Sequence, residues 1–489
     1  MVKTILTAAV ASALLAATAH AAVPQQNDVW YQDAQAALAA AKANPPITGK
    51  AKNVILFVGD GMSVGTITAA RIYQGQQQGQ TGEENRLGME SLPHVALAKT
   101  YNTDMQTPDS AGTATAMVTG VKTKAGIISV DDNVQRGFCS TAKGNEAKTL
   151  FEMAGEKGKA LGLISTARLT HATPATTYAH SAERNWENDS KLPNIAKNQG
   201  CTDIASQFVD FDAGEGFQVA FGGGRREFIP ADSVDPEGKK GKRKDGRNLI
   251  EAWQTRHPDG QYIFDKSGFD AIDPATTSRV FGLFESSHMK YEADRRESQD
   301  EPSLADMTSK AIDMLSRNKD GYVMMVEAGR IDHAHHAGNA ARALEDTLAY
   351  DDAIQVALAK TNPEDTLVIV TADHAHTMVM NGYAERGNPI LGLSRQKGRL
   401  NQDDFGKTYT TITYGNGPGA VKGERENLQE GQVRKLDYKQ QSLIKLGSET
   451  HSGEDVAIMA RGPMAWLFQG AVEQNYIFHV INEATDLAD

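Results

Sequence analysis

Three apolar, β-branched segments restrict what this chain can fold into: NVILFVGDG from Asn53, GYVMMVEAG from Gly321 and TLVIVTADH from Thr366. Runs of this length without polar alternation suit strands buried on both faces of a parallel sheet. Each one ends in an acid: Asp60, Glu327 and Asp373. Helical patterns lie between them, as at Leu304 to Arg317 and Ala341 to Lys360. The alternation predicts an α/β fold, doubly wound, with a mostly parallel central sheet flanked by helices. In such sheets ligands bind beyond the carboxyl ends of the strands, so the three acids should meet in one crevice.

The residues around those strand ends have metal-binding chemistry. In VEAGRIDHAHHAGN, Asp332 and His336 are four apart and share a helical face, with His333 and His335 crowding the same turn. His374 follows Asp373 directly, and His451 precedes the strand-like VAIMA. Any one of these histidines alone reads as structural. Together, Asp60, Asp332, His336, Asp373, His374 and His451 form a mixed carboxylate–imidazole set that suits Zn²⁺, and six ligands serve two ions. Glu327, an oxygen-only ligand, suits a harder Mg²⁺ beside them, and Asp60 has two oxygens with which to bridge. In TPDSAGTATA, Ser110 heads a run of small residues that reads as a helix start, with Asp109 or Ser110 at the cap. Backbone N–H groups and the positive end of the helix dipole make that position an anion site.

Composition sets the remaining limits. Over 489 residues the formal net charge is −12, which argues against a nucleic-acid-binding module. The one basic cluster, KKGKRKDGR (Lys239 to Arg247), is broken by Gly and Asp and reads as a solvated loop. At the N-terminus an early Lys, a short apolar stretch and Ala19-His20-Ala21 predict a secretory signal over residues 1–21. The remainder, 22–489, reads as one exported domain, periplasmic or secreted, with no membrane span. Two polar stretches, about 225–302 and 381–436, read as insertions into it. Cys139 and Cys201 are the only cysteines. Export permits a disulfide worth roughly 3–5 kcal/mol in loop closure, with two buried thiols as the alternative.

The motifs FVGDGM, TYNTDMQTPDSAGTATA, THATPATTYAHSAERNW, EAGRIDHAHH, TADHAHT and ETHSGEDV, in that order, resemble the alkaline phosphatases. The likeness is closer to the animal-type enzymes than to the shorter enteric bacterial form, and it runs from about Trp30 to Glu483. It implies zinc- and magnesium-dependent hydrolysis of phosphate monoesters through a phosphoserine, with broad leaving-group specificity and an alkaline optimum. Residue by residue, it implies Ser110 as nucleophile and Arg184 as the phosphate grip. It implies Asp332, His336 and His451 on one zinc, and Asp60, Asp373 and His374 on the other. Asp60, Thr173 and Glu327 would hold the magnesium. His171 and His333 stand where the enteric form has an aspartate and a lysine, which places His171 beside the magnesium rather than on it.

The resemblance further implies a Cys139–Cys201 disulfide, a homodimer capped by a crown-like second insertion, and another divalent site, usually Ca²⁺, in the first insertion. Glu237, Glu285 and the Phe284 carbonyl match that site, with Asp300 or Glu301 completing it. A sulfatase would need a [CS]-x-P-x-R nucleophile motif, which DSAGT is not. A cofactor-independent mutase would not carry a leader. An exported binding protein would need no Ser110.

Overall fold

The computed structural model describes residues 24–488. The predicted leader, 1–21, lies outside them. The chain divides at Pro45–Pro46 into two units. The described part of the first holds a short 3-10 turn, Pro24–Asn27, and a helix, Val29–Lys42, whose Asp28 cap accepts from the Trp30 and Tyr31 N–H groups at 2.9 and 3.3 Å; none of the residues in either is buried.

The second unit is built on a ten-stranded sheet. In chain order its first eight strands are β1 (Asn53–Gly59), β2 (His94–Lys99), β3 (Ala160–Arg168), β4 (Val219–Gly223), β5 (Gly260–Ile263), β6 (Arg279–Leu283), β7 (Tyr322–Ala328) and β8 (Thr366–Ala372). The strands Val456–Arg461 and Ala471–Glu473 follow. Across the sheet the order is Ala471–Glu473, β2, Val456–Arg461, β8, β1, β7, β3, β4, β6, β5. Only Val456–Arg461 runs against the rest. Helices Leu304–Leu315 and Ala340–Lys360 pack on one face, and Ser110–Thr119, Leu150–Glu156 and Tyr476–Thr485 on the other. This is the doubly wound α/β architecture.

The three apolar runs are β1, β7 and β8, side by side at the centre. Val54 to Val58, Tyr322 to Ala328 and Thr366 to Ala372 are buried throughout, as strands covered on both faces must be. Full burial of each such side chain contributes about 1.5–3 kcal/mol. Register fixes the crevice: Val58 pairs with Glu327 of β7, and Gly59 pairs with Ala372 of β8. Asp60 and Asp373 therefore leave neighbouring strands at one level, with Glu327 beside them.

The first insertion is more regular than its polar composition suggests. It supplies β5 and β6, the edge of the central sheet, because Val280, Phe281 and Leu283 pack under Phe208, Phe228 and Trp253. The basic loop within it is not wholly solvated. Arg243 is buried and forks onto Asp203 at 2.8 and 3.2 Å, leaving its lysine neighbours outside. The second insertion adds the strand Ile412–Gly417 between Met378–Met380 and Ser442–Lys445, which flank it in sequence, and has its own small apolar cluster of Leu393, Leu428 and Val433. Cys139 and Cys201 are bonded to each other 62 residues apart, so the thiol alternative falls. Closing a loop of that length stabilises by about 4 kcal/mol in the chain-entropy model.

Candidate active site

Ser110 opens the helix Ser110–Thr119, every residue of which is buried. The cap is Asp109, whose side chain accepts from the Gly112 N–H at 3.1 Å. Small residues are required here: a Cβ on Gly112 would meet Asn102 Nδ2 at 2.3 Å. Ser110 Oγ lies 3.1 Å from His374 Nε2 and 3.5 Å from Asp60 Oδ1. His374 Nε2 in turn lies 3.4 Å from Asp60 and 3.3 Å from Asp373.

A second cluster centres on Asp332. His336, His376 and His451 bring their Nε2 atoms to its Oδ1 at 3.2, 2.8 and 3.3 Å. Each outer nitrogen is held: His336 Nδ1 by the Glu449 carbonyl at 2.5 Å, and His451 Nδ1 by the Pro108 carbonyl at 2.8 Å. Such contacts fix the tautomer and aim the free nitrogen inward. Asp60, His171 and Glu327 form a third group of mutually close donor atoms, so Asp60 is shared by two groups. Ser165 Oγ donates to Glu327, and the buried Thr173 hydroxyl also faces that carboxylate. His171 thus stands close beside the Asp60 and Glu327 carboxylates.

These carboxylates are electrostatically crowded. Burial, reinforced by Asp373, Asp332 and Glu327, holds Asp60 well above the ordinary carboxyl range. Burial and nearby Asp373 and Asp332 push Glu327 to about 8, although Ser165 opposes the shift. Asp373 is raised chiefly by burial. Asp60 Oδ2, Asp373 Oδ2, Glu327 Oε1, Thr173 Oγ1 and His171 Nδ1 are all buried without a partner. Orphaned donors of this kind beside clustered anions fit bound cations.

Arg184 lies beside them. Asp109 Oδ2 accepts from its Nη1 at 2.9 Å, and Nη2 lies 3.3 Å from His171 Nε2. Burial works against ionisation of Asp109, but Arg184 and the Gly126 and Gly112 N–H groups outweigh it and bring its carboxyl below the usual range. His333 lies next along the chain from Asp332, its ring 5.5 Å from that of His171.

Two further residues complete the Asp332 cluster. Burial opposes protonation of His376, but the hydrogen bonds its ring donates to Asp332 and Glu449 raise it to about 10. Its Nδ1 reaches Glu449 Oε2 at 2.5 Å. With Nε2 2.8 Å from Asp332 Oδ1 and Nδ1 on Glu449, the His376 ring is placed to orient Asp332 within this cluster. The spacing in TADHAHT contained the signal: His374 and His376 are two apart on an extended segment, and His376 pairs with His451. Glu449, distant in sequence, gave none. In the first insertion Glu301 is buried with Oε1 unpartnered, while Asp300 pairs with Lys290. Burial and Glu285 push Glu301 to about 7, though the Lys290 N–H opposes this. Glu237 is engaged by Arg225 at 2.5 Å. Glu285 raises both Glu237 and Glu301, so the three acids face one another, though less tightly than the central groups.

The alkaline phosphatase family model matches residues 51–487. The tissue-nonspecific alkaline phosphatase of Gallus gallus is 45% identical over 465 residues, 93% of this chain and 88% of that protein. The Mus musculus isozyme is 45% identical over 471 residues, with the same coverage. The Thermus thermophilus alkaline phosphatase superposes with a TM-score of 0.64 at 24% identity, covering 92% of this chain and 94% of that one. The cold-active enzyme of a psychrophilic Shewanella superposes at 0.62 with 25% identity, covering 88% and 98%. Sequence, fold and clustered donors agree: the chain belongs to the alkaline phosphatase family.

Proposed function

We propose that this phosphomonoester hydrolase works through a phosphoserine on Ser110. The observation that carries this is one buried hydroxyl, at a helix N-terminus, 3.1 and 3.5 Å from donors of a dense anionic ligand set. Asp332, His336 and His451 would hold one Zn²⁺, and Asp60, Asp373 and His374 the other. Asp60, Thr173 and Glu327 would hold Mg²⁺, with His171 beside them. Bound there, the cations would neutralise developing charge on the attacking and leaving oxygens.

Ser110 Oγ attacks phosphorus as the ester P–O bond breaks, and the alcohol leaves carrying the proton that the serine loses. Water then cleaves the phosphoserine, releasing phosphate and restoring the hydroxyl. Arg184, braced by Asp109, offers parallel N–H groups to two phosphate oxygens, a fork that Lys cannot reproduce. Backbone N–H groups at the head of the helix add to the grip. Since these contacts reach only the phosphoryl group, the leaving group should be little restricted. The optimum should lie above neutrality, because hydroxide at a metal and release of free phosphate would both be favoured at high pH. Acid quenching during p-nitrophenyl phosphate turnover, followed by peptide mass spectrometry, should find phosphate on Ser110; label elsewhere, or none, defeats the reading.

Glu237, Glu285 and Glu301 would complete a further Ca²⁺ site. The disulfide fits export to an oxidising compartment. No helix among the described residues is long and apolar enough to cross a membrane. The enzyme would act as a homodimer: Tyr383, Phe405, Leu443 and Ile444 of the second insertion region expose apolar surface that a second copy would cover. Sedimentation at twice the chain mass is expected, and a monomer at micromolar concentration would exclude it.

A further inference from the structure

His288, in the loop after β6, is a half-buried histidine beside the site with no role assigned above. Its segment is firmly mounted. The Phe284 N–H donates to the Gly222 carbonyl at 2.8 Å, and the Gly224 and Arg225 N–H groups donate to the Glu285 carbonyl at 3.0 and 3.2 Å. Beyond the histidine, the Met289 N–H donates to the Thr166 carbonyl at 3.0 Å. A Cβ on Gly223 would lie 2.1 Å from the Ser287 carbonyl oxygen, so only glycine lets the loop approach β4 this closely. The loop is clamped between the carboxyl ends of β3 and β4.

From that mount the His288 ring meets two others. Its centroid is 4.1 Å from His333 and 5.3 Å from His171, edge-on to the latter at 81°. His288 Nε2 contacts Arg168 Nη1 at 2.5 Å. A guanidinium only donates, so that nitrogen accepts. Arg168 is itself fixed, because its Nε and Nη2 fork onto Glu187 at 2.7 and 2.8 Å. His171 and His333 each have a buried Nδ1 with no partner. Nothing polar therefore holds those two nitrogens in place, although His171 belongs with Asp60 and Glu327 and its Nε2 faces Arg184.

We propose that His288 is a positioning residue: its ring is the fixed wall that orients His333 and His171 and so shapes the third cation site. This rests on the metal reading above. Without the wall, the His171 and His333 rings gain rotamers that the site cannot use, and the third ion loses an aimed neighbour. Supporting residues of this kind typically affect metal affinity or activity by about 10–100-fold.

The test uses the full-length zinc-loaded enzyme, with Mg²⁺ binding followed by calorimetry alongside kcat/KM. His288→Ala is expected to weaken Mg²⁺ binding and lower kcat/KM by about tenfold each. His288→Phe keeps a ring against His333 while losing the acceptor for Arg168, and should recover both to within about threefold. An Ala variant within about twofold of the parent in both overturns the proposal. So does equal impairment of Ala and Phe with a shared fall in melting temperature, since that marks general damage. A parent that binds no Mg²⁺ beyond its zinc refutes the metal reading itself and removes the site the wall would serve.

Discussion

Ser110→Ala is expected to lower kcat for p-nitrophenyl phosphate by about 10³-fold or more while leaving the fold intact. Removing the nucleophile abolishes the covalent route, and what survives comes from groups that still bind the phosphoryl group and orient water; single nucleophile deletions in hydrolases reach losses of about 10⁶. The helix should tolerate the change, because Asp109 rather than Ser110 caps it and Ala is the better helix former. The substitution is therefore a clean removal of one oxygen. Steady-state kinetics with a matched melting curve decides the matter. Retention of more than about a tenth of kcat in a protein with unchanged metal content would eliminate Ser110 as the attacking group.

Stripping the divalent ions should abolish activity and make the protein less stable, increasingly so as pH rises. In the metal-free chain Glu327 is pushed from 4.5 to about 8, and Asp60 and Asp373 are raised as well. The folded metal-free state therefore binds protons that the unfolded chain has released. Stability then falls as pH climbs through the window from about 4.5 to 8, by on the order of 5 kcal/mol for Glu327 alone. Asp332 has the opposite sign: burial opposes ionisation, but His336, His376 and His451 hold its carboxyl well below 3.8, so its contribution is already complete below that window. Bound cations replace the protons and should flatten the profile. Calorimetric melting of chelated and reconstituted protein at pH 5, 6.5 and 8 checks this. A chelated melting temperature that rises or stays level across the range would contradict it.

Much of this was legible in the chain because the central strands are buried on both faces and so leave unbroken apolar runs. Register then decided which acids met: once β1, β7 and β8 lie side by side, Asp60, Glu327 and Asp373 have one place to go. The i, i+4 pair Asp332–His336 was readable for the same local reason. What stayed hidden depends on long-range contact. Glu449 lies 73 residues from His376, and no local pattern marks the pairing. His288 is a lone histidine in a polar loop until β3 and β4 clamp it. Arg243 sat among lysines that look alike in sequence, and only the position of Asp203 selects it for burial. Strands β5 and β6 were hidden because both are short, β5 at the sheet edge and β6 beside it, and their flanks are polar.

Asp109 deserves a last consequence. One of its oxygens fastens the start of the serine's helix through Gly112 and the loop through Gly126, and the other holds Arg184. On the proposed mechanism Ser110 Oγ and the Arg184 fork thus hang from a single hinge pin, and their separation is set once, by one carboxylate. Retuning the enzyme for a bulkier or differently charged group by moving either partner alone would misalign the other, so adaptation in this scaffold is channelled toward the rim, where the departing alcohol lies.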